Sequence, residues 1–571
     1  MSQQPSAGHG AAADTAAANA LGSDPQRAGR RRRRFPPWFV WAPVAALVLA
    51  IVLLRGFAEV DPAARNIATF VLGVVASATL FVWFVWRSAY SGRLRFAALA
   101  VAVAGVALAA SLLRIEEFDG SLVPVLRWRW QTAADRLLPA ARPAESEPAA
   151  DLTATTDHDF PQFLGAGRDA TISGVELARD WAAHPPEPIW RQPIGAGWSA
   201  FALVGDYAVT LEQRGPDELI TCYHLATGKL AWAQSTATRH ESMLGGVGPR
   251  STPTVDQGQV YALGATGRLH CLDGATGKVL WEKNLLEEFG VASPEADMDA
   301  IAWGRSGSPL IVGDLVVVPA GGPSGGPFVS LVAYDRQTGR EAWRGGETQI
   351  SYSSPSLFTL GGVPTIVNVN ESNVTGHDPK TGAVLWQEAW PGSSNTAANN
   401  SQAVRIDDTR LFLSKGYGGG CKLFAVTADA DSEPREWQPR DIWTVPRNMQ
   451  TKFSNVVRHN GSIYGLSEGI LECIDEETGM RRWKKGRYGH GQILLVGDTI
   501  LVLSETGELA LVATNPDQYE ELAKIQALEG KSWNNLAFSN PYLLVRNGQE
   551  AACYRMSLAD APATADPPAS P

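Results

Sequence analysis

The chain has 571 residues, of which 45% are hydrophobic and 19% are charged. This balance excludes a disordered chain and a coiled coil, and the length predicts several domains or one large repeat fold. The first 114 residues contain 12 Arg, no Lys and 4 acidic residues, whereas the remainder contains 37 basic and 55 acidic residues. Because phosphate binding needs a basic surface, we do not expect nucleic acid to be a partner of the acidic body.

Three apolar runs without a charged residue follow a polar, Ala-rich start. They cover Phe35 to Leu54, Ile67 to Trp86 and Phe96 to Leu113, and each is about long enough to cross the ~30 Å hydrocarbon core of a membrane. A secretory signal peptide has a shorter apolar region and a small-residue cleavage site, which does not follow the first run. The sequence therefore predicts a disordered basic tail over 1–34 and a membrane anchor over 35–114, with transmembrane helices at 35–54, 67–86 and 96–113.

Arginines flank these runs unevenly. Arg27 and Arg30 to Arg34 precede the first run, and Arg87, Arg93 and Arg95 lie between the second and the third. Cytoplasmic loops are richer in Lys and Arg than loops on the other side, so this pattern predicts a cytoplasmic N-terminus. An odd number of spans then places everything after Leu113 outside. We expect a protein of the bacterial inner membrane whose body lies in the periplasm.

Residues 131–157 are rich in Ala, Pro and acidic residues and lack apolar periodicity. We therefore predict a juxtamembrane segment and a flexible linker over 115–157. Trp128 and Trp130 suit the headgroup depth of a membrane, although ordinary packing explains them equally well. Residues 557–571 are predicted as a disordered tail.

A short segment of the type Asp-x-x-Thr-Gly-x-x-x-Trp recurs along the acidic body. Its glycines are Gly228, Gly277, Gly339, Gly382 and Gly479. The last interval is about twice the others, which predicts one degenerate copy with Trp443 in the tryptophan position. Thr-Gly after an Asp is typical of a tight turn, and alternating or β-branched strands flank it. Each copy thus predicts four short strands, the content of one propeller blade.

The tryptophans count the blades. They are Trp190, Trp232, Trp281, Trp343, Trp386, Trp443 and Trp483. A further outer strand without Trp is predicted at Leu522 to Leu528. The last unit lacks its outer strand, which the strand at Ile189 and Trp190 can supply, closing the ring and covering its edges. The prediction is an all-β fold over 158–556, an eight-bladed propeller of four-stranded antiparallel blades, with seven blades as the alternative.

The segments Cys271 to Trp281 and His377 to Trp386 resemble the PQQ-like propeller repeat. That family includes quinoprotein alcohol dehydrogenases and the propeller lipoprotein of the outer-membrane β-barrel assembly machinery, and the resemblance covers about residues 158–556. Both enzymes and scaffolds share the repeat, so it predicts the fold more than the function.

The resemblance implies pyrroloquinoline quinone, a calcium ion and, typically, a disulfide between adjacent cysteines in the enzymes of the family. This chain has five cysteines, none next to another, at 222, 271, 421, 473 and 553. We interpret them as buried strand residues. The nine histidines show no metal-binding spacing. The sequence therefore predicts no catalytic residue, no metal site and no cofactor.

Polar clusters precede the innermost strand of several units, where a propeller places one mouth of its central channel. The candidate ligand residues among them are Arg250, Arg305, Asn399, Lys452, Arg487, His490, Lys531 and Trp533. Two interpretations remain open. The clusters are either ordinary solvated loops or a funnel that prefers anionic ligands.

These features favour a membrane-anchored, periplasmic binding or scaffold protein without enzymatic activity, with a role in envelope or outer-membrane protein assembly. The expected partners are the lipid bilayer, through the three helices, and an envelope protein or a small anionic ligand. The alternative function is a membrane-bound quinoprotein oxidoreductase of the alcohol or sugar dehydrogenase type, which uses pyrroloquinoline quinone with calcium.

Overall fold

The computed structural model describes residues 33–56, 62–142, 149–428 and 436–559. Almost all of the two predicted tails, 1–34 and 557–571, lies outside the described residues. The chain divides into a helical unit and a second unit that contains the rest from Leu112 onward. Three helices, Trp38–Gly56, Pro62–Arg87 and Gly92–Leu112, are long and apolar enough to cross a membrane. They confirm the three predicted spans, with boundaries moved by up to five residues.

The second unit is a ring of eight four-stranded antiparallel blades, so the count of eight is confirmed. From the inner to the outer strand, blades 1 to 4 consist of Ala202–Val204, Tyr207–Arg214, Asp217–His224 and Leu230–Thr236; Thr254–Asp256, Gln259–Leu263, Arg268–Asp273 and Val279–Asn284; Leu310–Val312, Leu315–Gly321, Val329–Asp335 and Glu341–Gly345; Ser356–Leu360, Val363–Val369, Asn373–His377 and Val384–Ala389. Blades 5 to 8 consist of Val404–Arg405, Arg410–Lys415, Gly420–Ala428 and Trp437–Val445; Thr451–His459, Ser462–Ser467, Ile470–Asp475 and Arg481–Arg487; Gln492–Val496, Thr499–Leu503, Glu508–Ala513 and Glu521–Gln526; Ala537–Ser539, Tyr542–Arg546, Glu550–Arg555 and Glu187–Pro193.

Short elements join or flank the blades. They are the hairpin Leu113–Phe118 with Pro124–Trp128, the hairpin Glu241–Ser242 with Gly246–Val247, the strand Thr171–Ile172, and the helices Ala134–Leu137, Leu285–Glu288 and Pro294–Met298. The loops that lead into the inner strands lie at one end of the ring, which we call the mouth end. The Asp-x-x-Thr-Gly turns lie at the other, which we call the turn end.

The repeated turn forms as its composition predicts. Asp335 Oδ1 accepts hydrogen bonds from the Thr338 backbone N–H at 2.8 Å and from its hydroxyl at 2.7 Å. The Thr338 hydroxyl also lowers the pKa of Asp335. Gly277 has φ +70°, and a Cβ there would lie 2.6 Å from the Trp232 ring of the preceding blade. Glycine is therefore required both by the backbone conformation and by the close approach of the neighbouring indole.

The outer-strand tryptophans fasten each blade to the next. Trp232 Nε1 donates to Gly274 O at 2.8 Å, and Trp281 Nε1 donates to Arg336 O at 2.9 Å. On its own sheet the indole faces a small residue of the third strand, as in the pairs Cys271 with Trp281 and Cys553 with Trp190. The cysteines are thus small buried strand residues, and burial raises the pKa of Cys473 to about 11.

The ring closes as predicted. Glu187–Pro193 is the outer strand of blade 8, and Trp190 Nε1 donates to Leu225 O of blade 1 at 2.8 Å. Arg546 of blade 8 is fully buried at this seam. Its guanidinium donates to Thr210 Oγ1, Leu211 O and Gly195 O at 2.8–2.9 Å, which fixes blade 8 to blade 1.

The prediction of a flexible linker over 115–157 is wrong for several of its parts. Residues 113–128 form a hairpin, Asp135 is buried in a short helix, and Ala150 and Leu152 are buried against blades 1 and 2. Composition alone did not show this packing, because the apolar partners belong to distant blades.

The chain from Phe160 to Ile172 crosses the turn end of the channel. Phe160 pairs with Leu203 of blade 1, and Thr171–Ile172 pairs in parallel with blade 7. Between them the buried Arg168 donates to Ser308 O at 3.2 Å and to Pro309 O at 3.0 Å in blade 3. Burial lowers the pKa of Arg168 to about 9. This segment therefore occupies the turn end of the channel.

Candidate functional site

The polar clusters at the mouth end join the inner strands of neighbouring blades. The Thr252 N–H of blade 2 donates to Ser308 Oγ of blade 3 at 2.8 Å, and the Ser308 N–H donates to Ser354 Oγ of blade 4 at 2.9 Å. Asn534 closes the series, because its amide donates to Gly197 O at 3.0 Å and to Ser199 O at 2.7 Å. These side chains are buried. The interpretation as solvated loops is therefore wrong for them, and they act as links around the axis.

Three of the predicted ligand residues are engaged by the propeller itself. Arg305 is 1% exposed, and its guanidinium binds the Asp297 carboxylate through two contacts of 2.9 and 3.0 Å. Arg250 donates to Gly245 O, Gly246 O and Gly248 O, and burial lowers its pKa to about 10. Asn399 donates its amide to three backbone carbonyls at 2.8–3.1 Å. These contacts leave the three side chains in structural roles.

Two of the predicted lysines pair with carboxylates. Lys452 lies 3.0 Å from Glu468, and Lys531 lies 2.5 Å from Glu117 of the juxtamembrane hairpin. Arg487 does not reach the mouth, because it is the last, exposed residue of the outer strand of blade 6. Its assignment to the funnel was wrong, since the chain still has to cross from the outer strand to the axis after it.

An aromatic cluster covers the mouth end and was not predicted as a group. Its rings, which we call the mouth cluster, are Trp198, Trp303, Tyr352, Phe453, His490 and Trp533. The centroid of the Phe453 ring lies 4.9 Å from that of Trp533 and 5.8 Å from that of His490, and Trp198 lies 5.0 Å from Trp533. Aromatic residues in the loops before the inner strands were the signal in the sequence.

Glu505 and Lys531 connect the mouth cluster to the juxtamembrane hairpin. Glu505 accepts from Trp533 Nε1 at 2.9 Å, from the His490 N–H at 3.0 Å and from the Gly120 N–H at 2.7 Å. Lys531 Nζ lies 4.2 Å from the centroid of the Trp533 ring and 4.8 Å from that of Trp198, so its charge also faces two aromatic rings. Gly120 at the hairpin tip is buried against His490. Of the predicted residues, the structure thus brings His490, Lys531 and Trp533 together.

The arrangement of the mouth cluster bears on the quinone that the resemblance implies for the family's enzymes. Trp303 and Tyr352 stack with centroids 5.0 Å apart and planes 28° apart, which is a direct ring contact without room for a planar ring between them. No group of three or more His, Cys, Asp or Glu side chains comes together within the residues that the structure describes. As arranged, these residues fit neither a stacked quinone nor a carboxylate-bound calcium ion.

Known proteins share the fold defined by these blades. The family model described as outer membrane protein assembly factor BamB matches residues 216–485. Quinohemoprotein alcohol dehydrogenase ADH-IIG of Pseudomonas putida is 29% identical over 208 residues, which are 35% of this chain and 26% of that protein. The dehydrogenase subunit of a quinone-type alcohol dehydrogenase of Komagataeibacter europaeus is 30% identical over 127 residues, which are 21% of this chain and 16% of that protein.

A solved structure extends the likeness to most of the chain. Quinohemoprotein alcohol dehydrogenase ADHIIG from Pseudomonas putida HK5 matches with a TM-score of 0.50 and 13% sequence identity, over 74% of this chain and 86% of that one. The sequence matches to the two curated relatives span only 26% and 16% of their lengths. The molecule is thus a β-propeller protein with three apolar helices before its ring. More particularly, the chain carries a PQQ-like β-propeller with eight blades.

Proposed function

We propose that this protein is a membrane-anchored binding or scaffold protein whose propeller lies in the periplasm and binds an envelope protein. The observation that carries the proposal is that the polar and charged residues at the mouth end bind one another. Arg305, Lys452 and Lys531 each have a carboxylate within 3.0 Å. Little chemistry remains there for a small molecule, so the outer surface is the better candidate for recognition.

The same contacts argue against a small anionic ligand at the mouth. An anion would have to displace Asp297, Glu468 or Glu117 from a cation that is largely buried with it. Breaking a buried ion pair is costly, because it leaves an uncompensated charge in a poorly solvated site. We therefore favour the protein partner over the anionic ligand among the two partners that the sequence suggested.

The alternative function, a quinoprotein oxidoreductase, is supported by the names of the two curated relatives. It is disfavoured by the direct stacking of Trp303 on Tyr352 and by the five separate, buried cysteines. The family model named after an outer membrane protein assembly factor favours a scaffold. We assign envelope or outer-membrane protein assembly as the process in which this scaffold acts.

Exposed apolar residues at the turn end offer a surface for such a partner. Leu280, Val384 and Met480 stand at or next to the start of outer strands in blades 2, 4 and 6 and are exposed. Each lies close behind a Thr-Gly turn, so the three positions belong to the same end of the ring. A protein contact with several blades at once is the kind of recognition that a propeller rim allows.

Photo-crosslinking in cells tests the proposal. A photoreactive phenylalanine analogue is placed in the full-length chain at Leu280, Val384 or Met480, with exposed Lys524 in the middle of an outer strand as the control position. We expect light-dependent adducts with one envelope protein from at least one turn-end position and none from Lys524. If every position remains free of protein adducts while the chain is folded and in the membrane, the scaffold function is wrong.

A further inference from the structure

The juxtamembrane hairpin begins one residue after the third helix ends at Leu112 and is fixed to the propeller by its tip. Glu117 binds Lys531 at 2.5 Å, Lys531 Nζ donates to Phe118 O at 3.2 Å, and Gly120 N–H donates to Glu505 at 2.7 Å. The hairpin therefore moves with the mouth end. Its position is set by side chains of blades 7 and 8.

The rest of the hairpin and its surroundings expose apolar side chains. Leu126 is 55% exposed, Trp128 47% and Trp130 66%, and the two indoles stack with centroids 5.0 Å apart. Met243, 67% exposed, extends from the loop between blades 1 and 2. That loop and the hairpin border one cavity of about 480 Å³ and so belong to the same surface. We call Leu126, Trp128, Trp130 and Met243 the apolar rim.

Single exposed apolar residues are ordinary, but a cluster of them marks an interaction surface. Tryptophan is enriched at the headgroup layer of membranes, where its ring is buried and its N–H remains hydrated. The chain enters the apolar rim directly from a helix long and apolar enough to span a membrane. Hydrocarbon and headgroups thus lie within a few residues of Trp128, whereas a protein partner would have to reach the same place.

We propose that the apolar rim lies in the headgroup layer of the bilayer, so that the mouth end of the propeller faces the membrane. The proposal rests on the membrane anchoring that the proposed function includes. The mouth cluster then lies between the ring and the lipid surface. The turn end, with the exposed Leu280, Val384 and Met480, points away from the membrane toward partners in the periplasm.

Fluorescence quenching in lipid nanodiscs tests this orientation with the full-length chain. The five native cysteines are fully buried, so a thiol-reactive fluorophore labels an introduced cysteine selectively. The label is placed at Leu126→Cys or Met243→Cys, with Met480→Cys, 66% exposed at the turn end, as the matched control. Phospholipids with a nitroxide on the headgroup serve as quenchers. We expect at least a twofold loss of fluorescence at residues 126 and 243 and no loss at 480.

A fourth label separates the two possible failures. Val106→Cys lies on the third helix and is 72% exposed, so lipid with a nitroxide on the acyl chain should quench it if the helix spans the membrane. Quenching at 106 without quenching at 126 and 243 would overturn the apolar rim as a lipid-facing surface and keep the anchor. An unquenched label at 106 would overturn the anchoring itself. Energy transfer between labels at 126 on two chains, without quenching by lipid, would assign the rim to a second copy and also overturn the proposal.

Discussion

At the scale of single residues, the turn glycines meet two requirements that a matched pair of variants separates. Gly277 and Gly461 both have positive φ, +70° and +72°, but only Gly277 has a neighbouring indole where its Cβ would be. Both Gly→Ala variants should suffer the left-handed strain of about 1–2 kcal/mol. Gly277→Ala should lose about 1–3 kcal/mol more, because the Trp232 ring must move. Thermal melts of the two variants measure this difference, and equal melting temperatures would show that the close approach is unimportant.

Glu218 makes the stability of the propeller depend on pH. It is buried in blade 1, accepts from the Ala265 N–H of blade 2 at 3.1 Å, and burial raises its pKa to about 7. A carboxyl with a raised pKa binds its proton more tightly in the folded state. Its contribution is therefore complete below the unfolded pKa near 4.5 and is lost as the pH rises to the folded value.

Glu218→Gln should remove this dependence. We expect the variant to gain up to about 3 kcal/mol over the natural chain at pH 8 and to differ little from it at pH 4, since one pKa unit corresponds to about 1.4 kcal/mol. Melting temperatures of both proteins across this pH range measure the effect. A variant that is equally destabilised at both pH values would contradict the account.

At the scale of elements, the closing strand should be as important as any internal one. Trp190 contacts blade 1 through its hydrogen bond to Leu225 and its ring against Gly228, as Trp281 contacts blade 3. Deleting a large aromatic side chain from such a site costs about 3–5 kcal/mol. We expect Trp190→Ala and Trp281→Ala to lower the melting temperature by similar amounts, and exposed Leu280→Ala to change it little. A Trp190→Ala protein that melts like the natural chain would show that the closure contributes no stability.

The blades were predictable because each carries its instructions within about ten residues. The Asp, Thr and Gly of one turn and the Trp that follows give the turn, the register and the blade-to-blade contact. Even the degenerate fifth blade followed from the spacing around Trp443, which does lie on its outer strand. The strand predicted at Leu522 to Leu528 is likewise present, as Glu521–Gln526.

The site was less predictable because its contacts join distant parts of the chain. The partner of Lys531 is Glu117, more than 400 residues earlier, and the partner of Arg305 lies in a short helix between blades. Neither pairing has a local pattern. A count of charges at the mouth therefore suggested an anion funnel, although most of those cations are neutralised inside the structure.

At the scale of the whole molecule, the arginine distribution predicts the topology. With the N-terminus inside and three spans, the propeller lies outside the cytoplasm. An enzyme reporter that is active only in the periplasm, fused after Ser557, should be active, and a reporter that requires the cytoplasm should be silent there. Activity of the cytoplasmic reporter at this position would overturn both the orientation and the periplasmic role.

The central claim is that this PQQ-like propeller binds a protein and does not use a quinone. Purified full-length protein in detergent is mixed with excess pyrroloquinoline quinone and Ca²⁺, separated from free quinone, and measured by absorbance and by dye-linked oxidation of ethanol. We predict that no quinone remains with the protein and that no alcohol is oxidised, because Trp303 and Tyr352 occupy the space of the cofactor with their own contact. Stoichiometric quinone on the protein, with calcium-dependent oxidation of the alcohol, would contradict this claim.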